Sequence, residues 1–447
     1  MSKFHSTVSR RDFMKGLGLA GAGLGAAGLA APAFHDMDDV MSSATAEIKH
    51  PWYVKKLELE KPTVEIDWTI FERFDRTIKF TSRKYREGQG DVSVKYMQDL
   101  FPDYKGPSLR DLALANASSA SSKGRVSPKF DGSMEGVNIP TPASQDMVKW
   151  QGTPEENLRT LRSAFRFFGA SDVAVVELTA NTRKLIYKNN GKKPYSYKDA
   201  DIPEETATEF IIPNKTKYVV FFSTLEATKQ AMQAPAPTWS GYDHYNRVTN
   251  RVHYFLGALG YQHIEAGGIS TSNSFAALSG VAEHSRAGHI ATSYKYGNML
   301  RGMHRIITDM ELMPTNPIDA GIAKFCETCK TCSERCPYEC MDMGEKSWTH
   351  WDAEAESTKN YVPGFKGWRT NVIYCQFCKN CHAQCPFNAA DDAVVHEFVR
   401  ATSAITPVFD GFFATMHKSF GYGTRNPNDW WETDVPIGRW DPAFIKP

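Results

Sequence analysis

Eight of the nine cysteines fall in two runs, CETCKTCSERCP from Cys326 to Pro337 and CQFCKNCHAQCP from Cys375 to Pro386. Each reads C-x2-C-x2-C-x3-C-P, the bacterial ferredoxin spacing, in which three close thiolates wrap one cubane and the fourth reaches the other cluster. The pattern assigns one [4Fe–4S] cluster to Cys326, Cys329, Cys332 and Cys385, and a second to Cys375, Cys378, Cys381 and Cys336. Zinc sites favour paired C-x2-C halves without a terminal x3-C-P, and a disulfide across two residues would be badly strained. The ninth thiol, Cys340, has no place in the pattern and is expected to be a packed side chain. Such clusters carry single electrons, so the remaining chain must hold whatever spends them.

The N-terminus says where the protein works. Ser9-Arg10-Arg11-Asp12-Phe13-Met14-Lys15 opens a weakly apolar Gly/Ala/Leu stretch that ends in Ala31-Pro32-Ala33. This is the pattern of a twin-arginine signal with an A-x-A cleavage site, predicted over residues 1–33. That route moves folded proteins, which suits cofactors inserted before export. An exported chain rich in cysteine would ordinarily form disulfides, but here eight thiols are taken by clusters. After the leader no run of eighteen apolar residues remains, so the mature chain is expected to sit on a membrane rather than span it.

At 447 residues the chain has room for two or three domains. Its 52 basic and 51 acidic residues leave a net charge of +1, which offers no basic face for nucleic acid. Residues 34–154 read as an irregular arm that wraps the rest. A core follows over 155–320. EENLRTLRSAFRFFGA has helical spacing at Leu158, Leu161, Phe165 and Phe168 and a stop at Gly169. DVAVVEL and KYVVFFS read as strands, the second apolar enough to be buried on both faces. YDHYNRVTNRVHYFLGALG reads as a long helix closed by Gly260, YQHIEAGG as a strand and turn, and Ser272 to Ala282 as a helix. HIATSYKYGNMLRGMHRIITDM reads as a turn and then a strand. Alternation of this kind predicts an α/β, or α+β, core. The cluster domain spans 321–395, and a tail over 396–447 packs back on the core. GAGLGAAG lies in the leader and is no nucleotide loop. D-x-H-x-x-G, which would mark a corrinoid whose cobalt takes a histidine, is absent.

The leader, the approach NPIDAGIAKFCETCKTCSERCP and the second cysteine run together resemble the corrinoid-dependent reductive dehalogenases of organohalide-respiring bacteria, over essentially the whole chain. The resemblance implies a nitroreductase-like core holding a base-off corrinoid beside a ferredoxin-like double-cluster domain. It implies removal of halogen from a chloroethene or chlorinated aromatic, with electrons passing through both clusters to cobalt. The cofactor carries the hard chemistry, and the protein supplies position, electronics and a proton.

In the family a tyrosine above the cobalt donates that proton and a nearby cation makes it a better acid. The resemblance places the tyrosine in SGYDHYNRV, with Tyr245 first and Tyr242 second. Arg301 in NMLRGMHR is the cation, with Arg305 next, and Asn273 in STSNSF the amide beside the site. Trp239 and Tyr242 are expected to line the cofactor and substrate pocket. The partners implied are a halogenated organic substrate, a small hydrophobic membrane-anchor subunit and a respiratory electron donor. The mature protein is expected to be peripheral on the outer face of the cytoplasmic membrane. An epoxyqueuosine reductase-like enzyme shares the cofactors, but the leader and the balanced charge count against it. An exported iron–sulfur electron-transfer subunit would not need so large an N-terminal region.

Overall fold

The computed structural model describes residues 48–432 apart from 78–82, 121–126, 227–236, 353–360, 389–393, 422, 423 and 425. The expected leader at 1–33 and the end of the tail at 433–447 lie outside the described residues.

Helix α1, Pro154–Phe168, begins where the sequence supplies a complete cap. The Thr153 hydroxyl accepts the Glu156 N–H, the Glu156 carboxylate accepts the Thr153 N–H, and Pro154 takes a position needing no donor. It ends at Gly169, whose φ of 107° few other residues tolerate. Leu158, Leu161 and Phe165 are fully buried along one face, and each such side chain contributes roughly 1.5–3 kcal/mol through apolar burial.

That face covers a four-stranded sheet of β1 (Asp172–Glu177), β2 (Tyr218–Leu225), β3 (His263–Glu265) and β4 (Leu300–Thr308). The spatial order is β1-β2-β4-β3, and every pair is antiparallel. The central strand β2, YVVFFSTL, reads as a nearly unbroken apolar run because both sheet faces are covered. Val220, Phe222 and Ile306 meet α1 and the long helix α2, Pro237–Ala258. Val219, Phe221 and Ile307 meet a second core containing Phe275, Ala276 and Leu278 of α3, Ser272–Leu278. This helix stops four residues before the expected Ala282, because Ser279 closes it and Glu283–His284 pairs as a short strand with Ala291–Thr292.

The N-terminal arm is less irregular than expected, since it contains helices at Ser93–Leu100 and Leu109–Ala120. It is stitched to the rest by strand pairs, Lys55–Lys56 with Ile318–Asp319 and Glu65–Ile66 with Phe365–Lys366. The two cysteine runs share one turn and the short helix that follows it. Helix α4, Ile322–Cys329, is followed by α5, Thr331–Glu334, and the second run carries α6, Asn380–Ala383. Lys330 and Lys379, each directly after the second cysteine of its run, both take left-handed backbone, at φ 50° and 67°. This shared turn swings the third thiol back toward the first two. Among the described residues no helix is long and apolar enough to cross a membrane.

Candidate functional site

The thiols gather as two groups. Around Cys326 the neighbouring thiols are Cys329, Cys332 and Cys385, and burial with this crowding pushes its thiol far up. Around Cys378 they are Cys336 and Cys375, and burial pushes its thiol up to about 12. Cys381 adds itself to this second group. Crowded sulfurs of this kind are unfavourable as thiolates until a cation sits among them, and all nine cysteines are free of disulfides. The donor set suits two cubanes. Cys340 is buried in an apolar cluster, as expected of a packed thiol, and its sulfur also lies 3.4 Å from that of Cys336.

A cavity of about 440 Å³ opens from the second group of thiols and is lined by Cys336, Cys375, Cys378, Cys381, Tyr242, Trp239 and Arg301, among others. Trp239 and Tyr242 stand one helical turn apart near the start of α2, with ring centroids 6.5 Å apart, and both are substantially exposed. Arg301 comes from the start of β4. Its guanidinium carbon lies 5.3 Å from the centre of the Tyr242 ring. One nitrogen, Nη2, donates to both oxygens of Glu226 at 3.0 Å and lies 3.3 Å from His382 Nδ1. Glu226 has no exposed surface. Burial alone would raise its carboxyl, but Arg301 and His382 outweigh burial and hold it well below the usual range. Lys379 lines the same cavity, and burial pushes its ammonium down to about 8.

The expected pairing of Tyr245 with Arg301 is not what the structure brings together. The strand shifts register between Arg301 and His304, and at this bulge Gly302 adopts φ 63° with the Tyr245 ring directly over it. A Cβ at Gly302 would come within 2.3 Å of that side chain. The bulge sends Arg301 toward Tyr242, whereas the Tyr245 hydroxyl lies 2.9 Å from Nδ1 of His304. Arg305, the second cation candidate, is buried and spends its guanidinium on the carbonyls of Met303, Ala266, Gly267 and Ser270. It ties a loop.

Asn273 lies elsewhere, in the wall of a second cavity of about 280 Å³ that includes His284, His289, Trp368 and Arg369. Its Oδ1 is buried without a hydrogen-bond partner, as is Nε of Arg301. Unsatisfied buried atoms of this kind are costly in a finished structure and suit a polar ligand. His289 lines both cavities and stands 3.4 Å from His382. Both cavities offer polar atoms to a ligand.

Glu226, Lys379 and His382 were missed from the sequence. His382 and Lys379 lie inside the second cysteine run, where spacing draws attention to the thiols alone. Glu226 ends the apolar strand KYVVFFSTLE, and a carboxylate closing a fully buried strand was the signal to follow.

Comparison with known proteins finds relatives over nearly the whole chain. The chain is 32% identical to a chloroethene reductive dehalogenase of Dehalococcoides mccartyi over 99% of its length and all of that relative. It is 30% identical to a trichloroethene reductive dehalogenase of another strain of the species, over 97% of this chain and 98% of that one. A tetrachloroethene reductive dehalogenase of Sulfurospirillum multivorans is 29% identical over 55% of this chain and 50% of its own. The chain belongs to the reductive dehalogenases, oxidoreductases that remove halogen from organic compounds. No protein-family model matches it. Among solved structures, a reductive dehalogenase described in connection with B12-dependent dehalogenation superposes with a TM-score of 0.56 at 16% identity, over 84% of this chain. A catabolic reductive dehalogenase, NpRdhA, gives 0.57 at 17% identity, over 89%. The chain spans about half the length of each of these solved chains, 50% and 52%, and they bear on the fold.

Proposed function

We propose that this chain reduces a chlorinated ethene, with a corrinoid held between the Asn273 and Tyr242 walls and two [4Fe–4S] clusters held by the eight cysteines of the repeated runs. A corrinoid bound there would supply low-valent cobalt chemistry for carbon–halogen cleavage, and clusters held by the eight cysteines would supply single electrons. The observation that carries the reading is one shared cavity: the second thiol group, Tyr242 and Arg301 all face it. The whole-length relatives whose names specify chloroethene and trichloroethene support the substrate class.

The protein's own task is the proton. Tyr242 holds one on its hydroxyl at the cavity wall, and Arg301 stabilises the phenolate left when that proton is spent. Glu226 and His382 fix the guanidinium, so the cation does not follow the charge it serves. Trp239 lines the cavity beside Tyr242. Asn273 offers an amide to the rim of the cofactor. Tyr245 is a supporting side chain in this reading.

The leader, outside the described residues, supports export by the twin-arginine route and a peripheral place on the outer face of the membrane. A small hydrophobic anchor subunit and a respiratory electron donor complete the assembly. The test is halide release from a chlorinated ethene by protein loaded with corrinoid, iron and sulfide, driven by a reduced dye. Activity that needs the corrinoid is expected. Equal activity without it, or release from no chlorinated ethene, overturns the reading.

A further inference from the structure

Three side chains that the dehalogenation reading leaves without a task converge in the core: His253 of α2, Glu265 of β3 and His304 of β4. The two histidines are 0% and 1% exposed. One ligand-capable atom from each of the three groups lies within 4.8 Å of the others. Nε2 of His253 and Nε2 of His304 each stand 3.0 Å from the same carboxylate atom, Glu265 Oε2. Donors sharing one tetrahedral zinc ion at about 2.0–2.1 Å are roughly 3.3 Å apart, close to both of these nitrogen–oxygen spacings.

Each of the three groups is also held from behind. His304 Nδ1 is 2.9 Å from the Tyr245 hydroxyl, and His253 Nδ1 is 3.1 Å from Nδ1 of His263. The other carboxylate oxygen, Glu265 Oε1, accepts the Gly267 N–H at 2.6 Å. An orienting partner on every ligand is what metal-binding imidazoles and carboxylates carry.

We propose that His253, Glu265 and His304 form a binding site for a divalent metal ion of the zinc class. Two imidazoles and one carboxylate are too few oxygens for calcium or magnesium and contain no thiolate for copper(I). The site is separate from the thiol groups, and the ion would join α2, β3 and β4 beneath the site wall. Binding at Nε2 fixes the remaining His304 proton on Nδ1, which makes that ring a donor to the Tyr245 oxygen and settles the orientation of the hydroxyl. None of this requires the dehalogenation reading to hold.

The test uses full-length, cofactor-loaded protein whose iron content shows both clusters filled, dialysed against micromolar Zn²⁺ and then desalted. About one zinc per chain is expected. X-ray absorption at the zinc edge should show nitrogen and oxygen near 2.0–2.1 Å and no sulfur near 2.3 Å. Glu265→Gln should retain zinc at least tenfold less well with iron unchanged, and only the parent protein should gain thermal stability from added zinc. Sulfur around the zinc, no zinc retained, or equal retention by Glu265→Gln each overturns the assignment. Should Glu265→Gln fail to fold, absorption by the parent protein decides alone. Counting zinc does not depend on halide release, so this proposal and the reading of the reaction fail separately.

Discussion

The cysteine runs and the acid–base wall face one cavity, yet they reach it by opposite routes. Each run takes three sulfurs from seven consecutive residues, and a lysine in left-handed conformation closes the turn. The wall takes Tyr242 from a helix, Glu226 from the end of one strand and Arg301 from the start of the next, across 75 residues. Chemistry built from local spacing tolerates changes elsewhere, because the turn carries its own geometry. Chemistry built from distant partners depends on register: a bulge at Gly302 decides which tyrosine Arg301 meets.

The sharpest way to break the local half is Cys332→Ser. It should remove one cluster, take iron from about eight to about four per chain, and abolish dye-driven halide release while the fold persists by circular dichroism. Retention of full iron would show that the thiols are grouped differently.

Arg301→Leu probes the distant half through stability as well as rate. It leaves Glu226 buried without its cation, a change that costs about 3–5 kcal/mol, read as a lowered denaturant midpoint. Glu226→Gln with Arg301→Leu should recover part of that loss, because no buried charge is then stranded. Equal loss in single and double variants would mean that the pair is not what the midpoint reads.

Acid sharpens the same point. The Glu226 carboxyl is held below its unfolded value of about 4.3, so its contribution is complete above that pH and is lost as pH falls toward the folded value. The thermal midpoint should therefore hold from neutrality to about pH 5 on this account and fall below about pH 4. Glu226→Gln should flatten that acid limb. An unchanged limb would assign it to other carboxylates.

The smallest effect should come from Cys340→Ser. With its sulfur beside Cys336, Cys340 touches the surroundings of one cluster without being counted among its ligands. Iron should stay at about eight per chain, while the electron paramagnetic resonance of one reduced cluster shifts. Loss of four irons would make Cys340 a ligand.

Much of the scaffold was legible in the sequence. The helical spacing of Leu158, Leu161 and Phe165, the stop at Gly169 and the apolar runs of β1 and β2 are local signals, and each produces the element it implies. The end of α3 was not legible, because pairing of Glu283–His284 with Ala291–Thr292 overrides a sequence that could have stayed helical to Ala282. At the site, periodicity puts both Tyr242 and Tyr245 on one helix, three residues apart, and says nothing about which faces Arg301. A left-handed glycine in a strand next to that arginine is the feature that decides it. A glycine within a strand pattern marks a bulge or a close approach, and Gly302 is both. The His253–Glu265–His304 cluster was equally hidden, since its members lie on three elements with no common spacing.

The most direct measurement compares two single-oxygen deletions in cofactor-replete protein, Tyr242→Phe and Tyr245→Phe, by halide release at equal cobalt and iron content. Both keep the ring and its packing. Tyr242→Phe should lose roughly 10²–10⁴ of turnover, the usual cost of a missing general acid, and Tyr245→Phe should stay within about tenfold of the parent. Near-normal turnover in Tyr242→Phe with collapse in Tyr245→Phe would contradict the account and return the proton to the tyrosine that lies against His304.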